Sequence, residues 1–486
     1  MGLGETPQDV TLNSLFCPNG DTDFRIGALD NFWRSVENFQ VNNKVIYAVS
    51  QAAPMRRVQI NGDLDLYKYD YGDAAGFASG GFMADVSVTG AVTSGSQQQW
   101  MSRNSQWGQW NGGVWNMVFS GCNNAPGTHC SNQGGLPYTT VDNTPLIAEK
   151  PYISENGGKY TLNIPRLEKN KVGPTPGYKN ADQVDFSQVF VANEQTSAQT
   201  ISSKLAEGLH VVLQPGNYYL TDSIKVNRDN AVVLGIGLAT LVSTTGKPCI
   251  EIGNVNGVRV AGVLLEAGET KSDALLMWGT KGFAGTEQNP GVMSDVFARV
   301  GGRNDQYAHS AKTETMITIN SGNVIIDNTW LWRADHDTQG LVYNGNNPVS
   351  SGIVVNGDNV KAYGLAVEHT LGHMTQWNGN NGLTIFYQSE YPYDVDGSYG
   401  TNKYASYKVN DAVTSHKAYG IGVYSYFRDH DVTVNSGIQA PQRNGVSFTN
   451  SLTVFLNGRG QINHVVNDIG NPVRAGQQLS YQCQFG

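Results

Sequence analysis

The chain has 486 residues, 39% hydrophobic and only 15% charged, and carries a net charge of −9 from 32 Lys plus Arg against 41 Asp plus Glu. Nucleic acid is a poor partner for that balance, because phosphate binding asks for a clustered basic face. No apolar run nears the ~20 residues that span a bilayer, so the expected partner is a neutral polysaccharide or oligosaccharide rather than nucleic acid or membrane.

At roughly 100–200 residues per domain, the length allows two to four domains or one large repetitive one. Glycine is abundant, at 57 residues. Together with many Asn, Thr and Val it points to a β-rich chain with tight turns, since Gly and Asn tolerate the positive φ that turns need. The aromatic content of 10% opposes disorder.

The chain divides into an N-terminal solenoid over 1–140, a linker over 141–185 and a C-terminal solenoid over 186–486. No charged-then-apolar leader stands at Met1. Near the start, Gly2-Leu-Gly-Glu-Thr-Pro resembles Gly235-Ile-Gly-Leu-Ala-Thr, and Gly81-Phe-Met-Ala-Asp-Val resembles Gly291-Val-Met-Ser-Asp-Val. Two related solenoids follow from this duplication. A helix and about one coil precede Gly235 but not Gly2, so the first solenoid is expected to lack its starting coil.

Trp100, Trp107, Trp110 and Trp115 lie close together among Gln, Ser, Asn and Gly. They read as loop platforms on which sugar rings stack, more than as core. Cys122 and Cys130 flank a Gly/Pro/Asn loop and could close a local disulfide, or be buried free thiols. Of the five cysteines, Cys17, Cys122, Cys130, Cys249 and Cys483, an odd number leaves at least one unpaired. Their spacing resembles no zinc site. The expected location is extracellular, as a monomer, with no metal and no cofactor.

The segment 141–185, rich in Pro, Gly, Asn and Lys, leads to the best helix, Thr196–Glu207, with Ala198, Ile201 and Leu205 on one face and Gly208 as its stop. Such a helix would cover the open end of a strand stack. Beyond it, Asn230, Asn256, Asn323, Asn359 and Asn381 each open a short β-prone run, some 22 to 36 residues apart where consecutive coils are compared. A turn residue before a short strand at that period is the signature of a β-solenoid.

In a solenoid, residues one coil apart stack at about the 4.8 Å strand spacing. Glu368 and Glu390 are 22 residues apart, so two carboxylates could project from neighbouring rungs of one face. Glycoside hydrolysis needs such a pair: one acid protonates the leaving oxygen while the other group activates water or attacks. Each could equally be a solvated edge-strand glutamate. Asp335-His336-Asp337, after Trp330-Leu-Trp-Arg-Ala, could orient a sugar hydroxyl or a water, bind a metal, or close a turn network.

These motifs carry a family resemblance. Trp330-Leu-Trp-Arg-Ala-Asp-His-Asp, Gly364-Leu-Ala-Val-Glu-His-Thr and Phe386-Tyr-Gln-Ser-Glu-Tyr-Pro-Tyr resemble, in order and spacing, glycoside hydrolase family 55. Val49-Ser-Gln-Ala-Ala and Gly80-Gly-Phe-Met-Ala-Asp agree more loosely. The resemblance implies an all-β chain of two tandem right-handed parallel β-helices in a rib-cage arrangement, and an inverting β-1,3-glucanase. It implies Glu390 as general acid, Glu368 as holder of the attacking water, and Gln51 as a contact to that region. Asp335, His336 and Asp337 would then hold the sugar, with Trp377 and Tyr393 lining the site in a cleft between the solenoids. The chain departs from the family pattern at Thr370, where a second His is usual, and at Pro392.

Two rival functions share the scaffold. A non-catalytic carbohydrate-binding or surface protein would bind glycan without releasing product. A polysaccharide lyase would act on uronic acids and want Arg or Lys, often with calcium, at the cleaved bond; the net charge of −9 opposes it.

Overall fold

A computed structural model describes residues 10–12, 24–26, 35–51, 53–70, 74–75, 78–175, 180–302, 310–335 and 342–486. Cys17, His336, Asp337 and the residues on which a missing starting coil would be judged lie outside them. The chain forms two compact units, Met1–Val189 and Phe190–Gly486. Each contains stacks of strands in parallel register.

In the second unit, one long sheet runs through Arg259–Ala267, Gly291–Val300, Val324–Arg333, Lys361–Glu368, Gly382–Glu390, His416–Phe427 and Val446–Gly458, each parallel to the next. A second parallel sheet collects the alternate strands, from Ile224–Val226 to Gln461–Val466. Successive passes through both sheets make each coil of a β-helix. Inward residues such as Ile326, Leu365, Val367, Tyr387 and Ile421 fill one continuous apolar core. The far end closes with Leu479–Phe485, antiparallel to Val446–Gly458. The near end is covered as expected: Ser197 caps a helix over Ala198–Ala206 whose buried residues are Ala198, Ile201 and Leu205. The cap supplies the acceptor that the first turn's free N–H groups need.

The repeating asparagines explain the rungs. Asn230, Asn323, Asn359 and Asn381 all take left-handed backbone, with φ between 55 and 59°. Asn adopts that region at less cost than other side-chain-bearing residues. There it turns the chain into the next strand, and Asn381 donates to Asn359 one coil below at 3.2 Å. Asn256 departs from the pattern; its turn is made by Gly257, with φ 71°.

The duplication is visible in packing. Met83 and Met293 are both fully buried, and the aspartates two residues on, Asp85 and Asp295, are both left-handed at φ 61° and 51°. The glycines at the motif starts have the same task. A Cβ on Gly81 would stand 2.2 Å from the Trp100 ring, and one on Gly291 2.4 Å from the Trp278 ring. Each glycine makes room for an indole laid across it.

Three sequence readings are decided here, two of them against the expectation. The tryptophans Trp100, Trp107 and Trp110 are core of the first unit rather than loop platforms; only Trp115 is partly exposed. Trp107 and Trp110 pack at 5.1 Å between ring centres, and burying large aromatic area outweighs the pull of polar neighbours. Cys122 is a free thiol whereas Cys130 is disulfide-bonded, as is Cys483, so the local Cys122–Cys130 bridge is not made. Third, 141–185 is no linker. Tyr152–Asn156, Lys159–Pro165 and Ala181–Asp185 form an antiparallel sheet, and Thr144–Ile147 pairs Glu168–Lys171.

Buried charges fasten that segment to the first solenoid. Glu149 takes both guanidinium nitrogens of Arg103 at 2.7 Å and Lys171 at 3.2 Å. Glu37 holds Arg57 at 2.8 Å and Lys150 at 2.7 Å. The lysines that suggested a solvated linker are counter-ions within a folded unit.

Candidate active site

Along the second unit's long sheet, the Lys361–Glu368 strand changes face at left-handed Gly364, φ 73°, and beyond it odd-numbered residues point inward and even-numbered ones outward. Leu365 and Val367 enter the core, while Ala366 and Glu368 face the other way. On the next strand Tyr387 joins the core, and Gln388 and Glu390 face out. The register sets Glu368 directly beside Glu390 and Ala366 beside Gln388. Trp332 stands on the rung before Glu368 and Tyr424 on the rung after Glu390. The stacking expected from the 22-residue spacing is therefore realised.

The two carboxyl groups differ in setting. Glu368 is 3% exposed and Oε1 accepts from Gln388 Nε2 at 2.7 Å. Glu390 is largely enclosed but keeps an accessible edge. Burial first, then the nearby charges of Glu368 and Asp335, push its pKa well above the ordinary glutamate value, against a smaller downward pull from a hydrogen bond with Tyr393. Like charges a few ångströms apart in a low-dielectric setting resist joint ionisation. The neutral form of Glu390 is thus favoured.

Asp335 follows the Val324–Arg333 strand and closes the cluster. Its Oδ2 accepts from the Tyr393 hydroxyl at 2.9 Å, and its Oδ1 from Trp332 Nε1 at 3.2 Å. His369 Nε2 stands 3.9 Å from Asp335 Oδ2, and the His369 ring lies 4.4 Å from that of Tyr393. Burial lowers the His369 pKa, so the ring is neutral, with Nδ1 donating to the Tyr391 carbonyl at 3.2 Å. The backbone of His369 is left-handed, at φ 64°, and its amide donates to the Glu390 carbonyl at 2.8 Å. That turn binds together the ends of the two glutamate-bearing strands.

Behind the cluster, Arg333 forks onto Asp394 at 2.9 and 2.7 Å and also donates to the Asn346 carbonyl. The pair is buried and fixes the loop that carries Tyr393.

The predicted residues therefore separate. Glu368, Glu390, Asp335 and Tyr393 come together. His336 and Asp337 lie outside the described residues. Gln51 belongs to the first unit, at φ 37°, where it accepts from Ser79 Oγ at 3.3 Å. Trp377 does not line the site: it is fully buried in the apolar core, with its ring 4.9 Å from His416. Gly382 gives it space, since a Cβ there would come 2.2 Å from the indole nitrogen. Its position in a strand of the opposite sheet, Thr375–Trp377, accounts for this, because that strand turns Thr375 and Trp377 inward. Gln388, Trp332 and His369 were missed as site members. The same-face offset of two residues from Glu390 was the available signal for Gln388. Among the described residues no group of three or more His, Cys, Asp and Glu is placed to hold a metal.

A β-helix with one protonated and one hydrogen-bonded carboxyl side by side on its wall is the architecture of a glycoside hydrolase of the pectate-lyase-like superfamily. Residues 189–390 match the model of the LAM55 pectate lyase-like domain. The chain is 41% identical over 488 aligned positions, 97% of its own length and 77% of the relative's, to the exo-β-1,3-glucanase of Streptomyces sp. (strain SirexAA-E / ActE). The solved structure of sacteLam55A from Streptomyces sp. SirexAA-E superposes with a TM-score of 0.88 at 41% identity, covering 94% of this chain and 83% of that one. A glutamate-to-alanine variant of the same protein, in complex with glucose, superposes with a TM-score of 0.88 at 39% identity, covering 99% and 86%. The chain belongs to glycoside hydrolase family 55, the LAM55 group.

Proposed function

We propose that the protein hydrolyses β-1,3-glucan with inversion at the anomeric carbon. Glu390, protonated at working pH, gives its proton to the glycosidic oxygen as the bond to the sugar breaks. Glu368, held as carboxylate by Gln388, takes a proton from the water that attacks the opposite face of the ring. Inversion needs room for that water, typically about 6.5–9.5 Å between carboxyls. Asp335, steadied by Trp332 and Tyr393, is placed to accept from a sugar hydroxyl. The exo-β-1,3-glucanase activity of the Streptomyces relative supports both the linkage and release from a chain end.

The observation that carries this reading is the pairing of Glu368 and Glu390 with Glu390's carboxyl driven towards its neutral form. It also weighs against a lyase, since the charges acting most on Glu390 are carboxylates, which repel a uronate. A merely glycan-binding protein has no use for a strained acid pair. We further read the protein as a secreted monomer; the disulfide-bonded Cys130 and Cys483 suit an oxidising compartment. Incubation with laminarin, with the first-formed anomer followed by NMR, tests the function: α-glucose released first is expected, and β-glucose, or an unsaturated product, would overturn it.

A further inference from the structure

We infer that Gln388 is a positioning residue for the water-activating carboxylate, resting on the reading that Glu368 serves as base. Its Nε2 donates to Glu368 Oε1 at 2.7 Å. Both side chains are nearly fully buried, Gln388 at 4% and Glu368 at 3% exposure. A donor aimed at a buried carboxylate favours the charged form and holds its orientation.

A second observation separates this from ordinary packing. Among the described residues no donor reaches Gln388 Oε1, although that atom is buried. Buried polar atoms in native structures are ordinarily paired, and exceptions collect at functional sites. A glutamine retained for structure alone would have both ends of its amide satisfied; here only the end facing Glu368 is. The place is also kept clear on the next rung, where Gly422 is the register partner of Gln388 and presents no side chain.

The test uses two variants and a pH series on the full chain with laminari-oligosaccharides. In Gln388→Met, which keeps volume but has no donor, Glu368 ionises less readily. The acid limb of the kcat/KM profile should move up by about one pH unit and kcat should fall roughly tenfold. In Gln388→Glu, the new side chain donates to Glu368 only while protonated. Activity at pH 7 should fall more than about a hundredfold and recover at least about tenfold by pH 5, relative to the wild type at each pH. An acid limb unmoved in Gln388→Met, or a loss in Gln388→Glu of the same size at every pH, overturns the inference. Circular dichroism and thermal melts on both variants confirm that the compared species are folded. Failure of the underlying reading is distinguishable, because Glu368→Gln would then keep close to the wild-type kcat.

Discussion

Asp394→Asn removes one charge and hardly any volume. In the native protein Arg333 is fully buried and makes two short bonds to that carboxylate, at 2.9 and 2.7 Å, and the Gly345 amide adds a third bond at 2.8 Å. Neutralising one partner strands a buried guanidinium, which costs about 3–5 kcal/mol. For a unit of roughly 300 residues the entropy of unfolding is about 0.6 kcal/mol per kelvin, so the melting temperature should fall by about 5–8 °C. Arg333 holds the Asp394 pKa below the usual carboxylate range despite opposing burial. The stabilisation is therefore present above the unfolded carboxyl value of about 3.9 and is lost as pH falls through the lower folded value. The gap between wild type and variant, read by differential scanning calorimetry at pH 7 and pH 3, should shrink at the lower pH. Because Asp394 follows Tyr393 by one residue, kcat should also fall, by roughly ten- to a hundredfold, as the loop loses its anchor. A melting temperature within 1–2 °C of wild type at pH 7, where the estimate above asks for more, would refute the reasoning that this pair is what fixes the loop.

Trp377→Ala should lower the melting temperature by a similar amount, from a core cavity costing about 3–5 kcal/mol, while the KM for laminari-oligosaccharides stays within about twofold; a large KM change would restore Trp377 to the site. Tyr393→Phe removes the hydroxyl that donates to Asp335 and holds Glu390's pKa down; kcat should fall about tenfold, and the basic limb of the pH profile should move upward, as titration of activity would show. Glu390→Gln should raise the melting temperature at pH 7 by a few degrees and give no gain at pH 4. The raised pKa means the folded state is penalised as pH climbs above the unfolded carboxyl value of about 4.3, and thermal melts at the two pH values check this.

Much of the architecture was legible because its causes are local. An asparagine before each strand announces a left-handed turn, and the 22-residue interval from Glu368 to Glu390 announces one coil; both are properties of neighbouring residues in a periodic stack. Ala198, Ile201 and Leu205 announced the covering helix in the same way. The failures have a common origin in facts that sequence position does not carry. Trp377 and Glu390 lie on different sheets of the coil, and only the fold says which sheet faces inward at which residue. The lysine- and glycine-rich composition of 141–185 resembles a linker, but Lys150 finds a buried glutamate far away in sequence, Glu37, and Lys171 one within the same segment, Glu149. Gln388 escaped notice as a site residue because a glutamine gains its meaning from the carboxylate that it faces on the adjacent rung.

The most direct measurement compares wild type and Glu390→Gln on two substrates: a laminari-oligosaccharide, whose leaving sugar must be protonated, and an aryl β-glucoside with a strongly acidic phenol, which leaves without help. If Glu390 is the proton donor, kcat on the oligosaccharide falls by about 10²–10⁴ while the aryl glucoside is turned over at close to the wild-type rate. Equal loss on both substrates, or full activity on the oligosaccharide, would contradict the assignment of Glu390 as the acid.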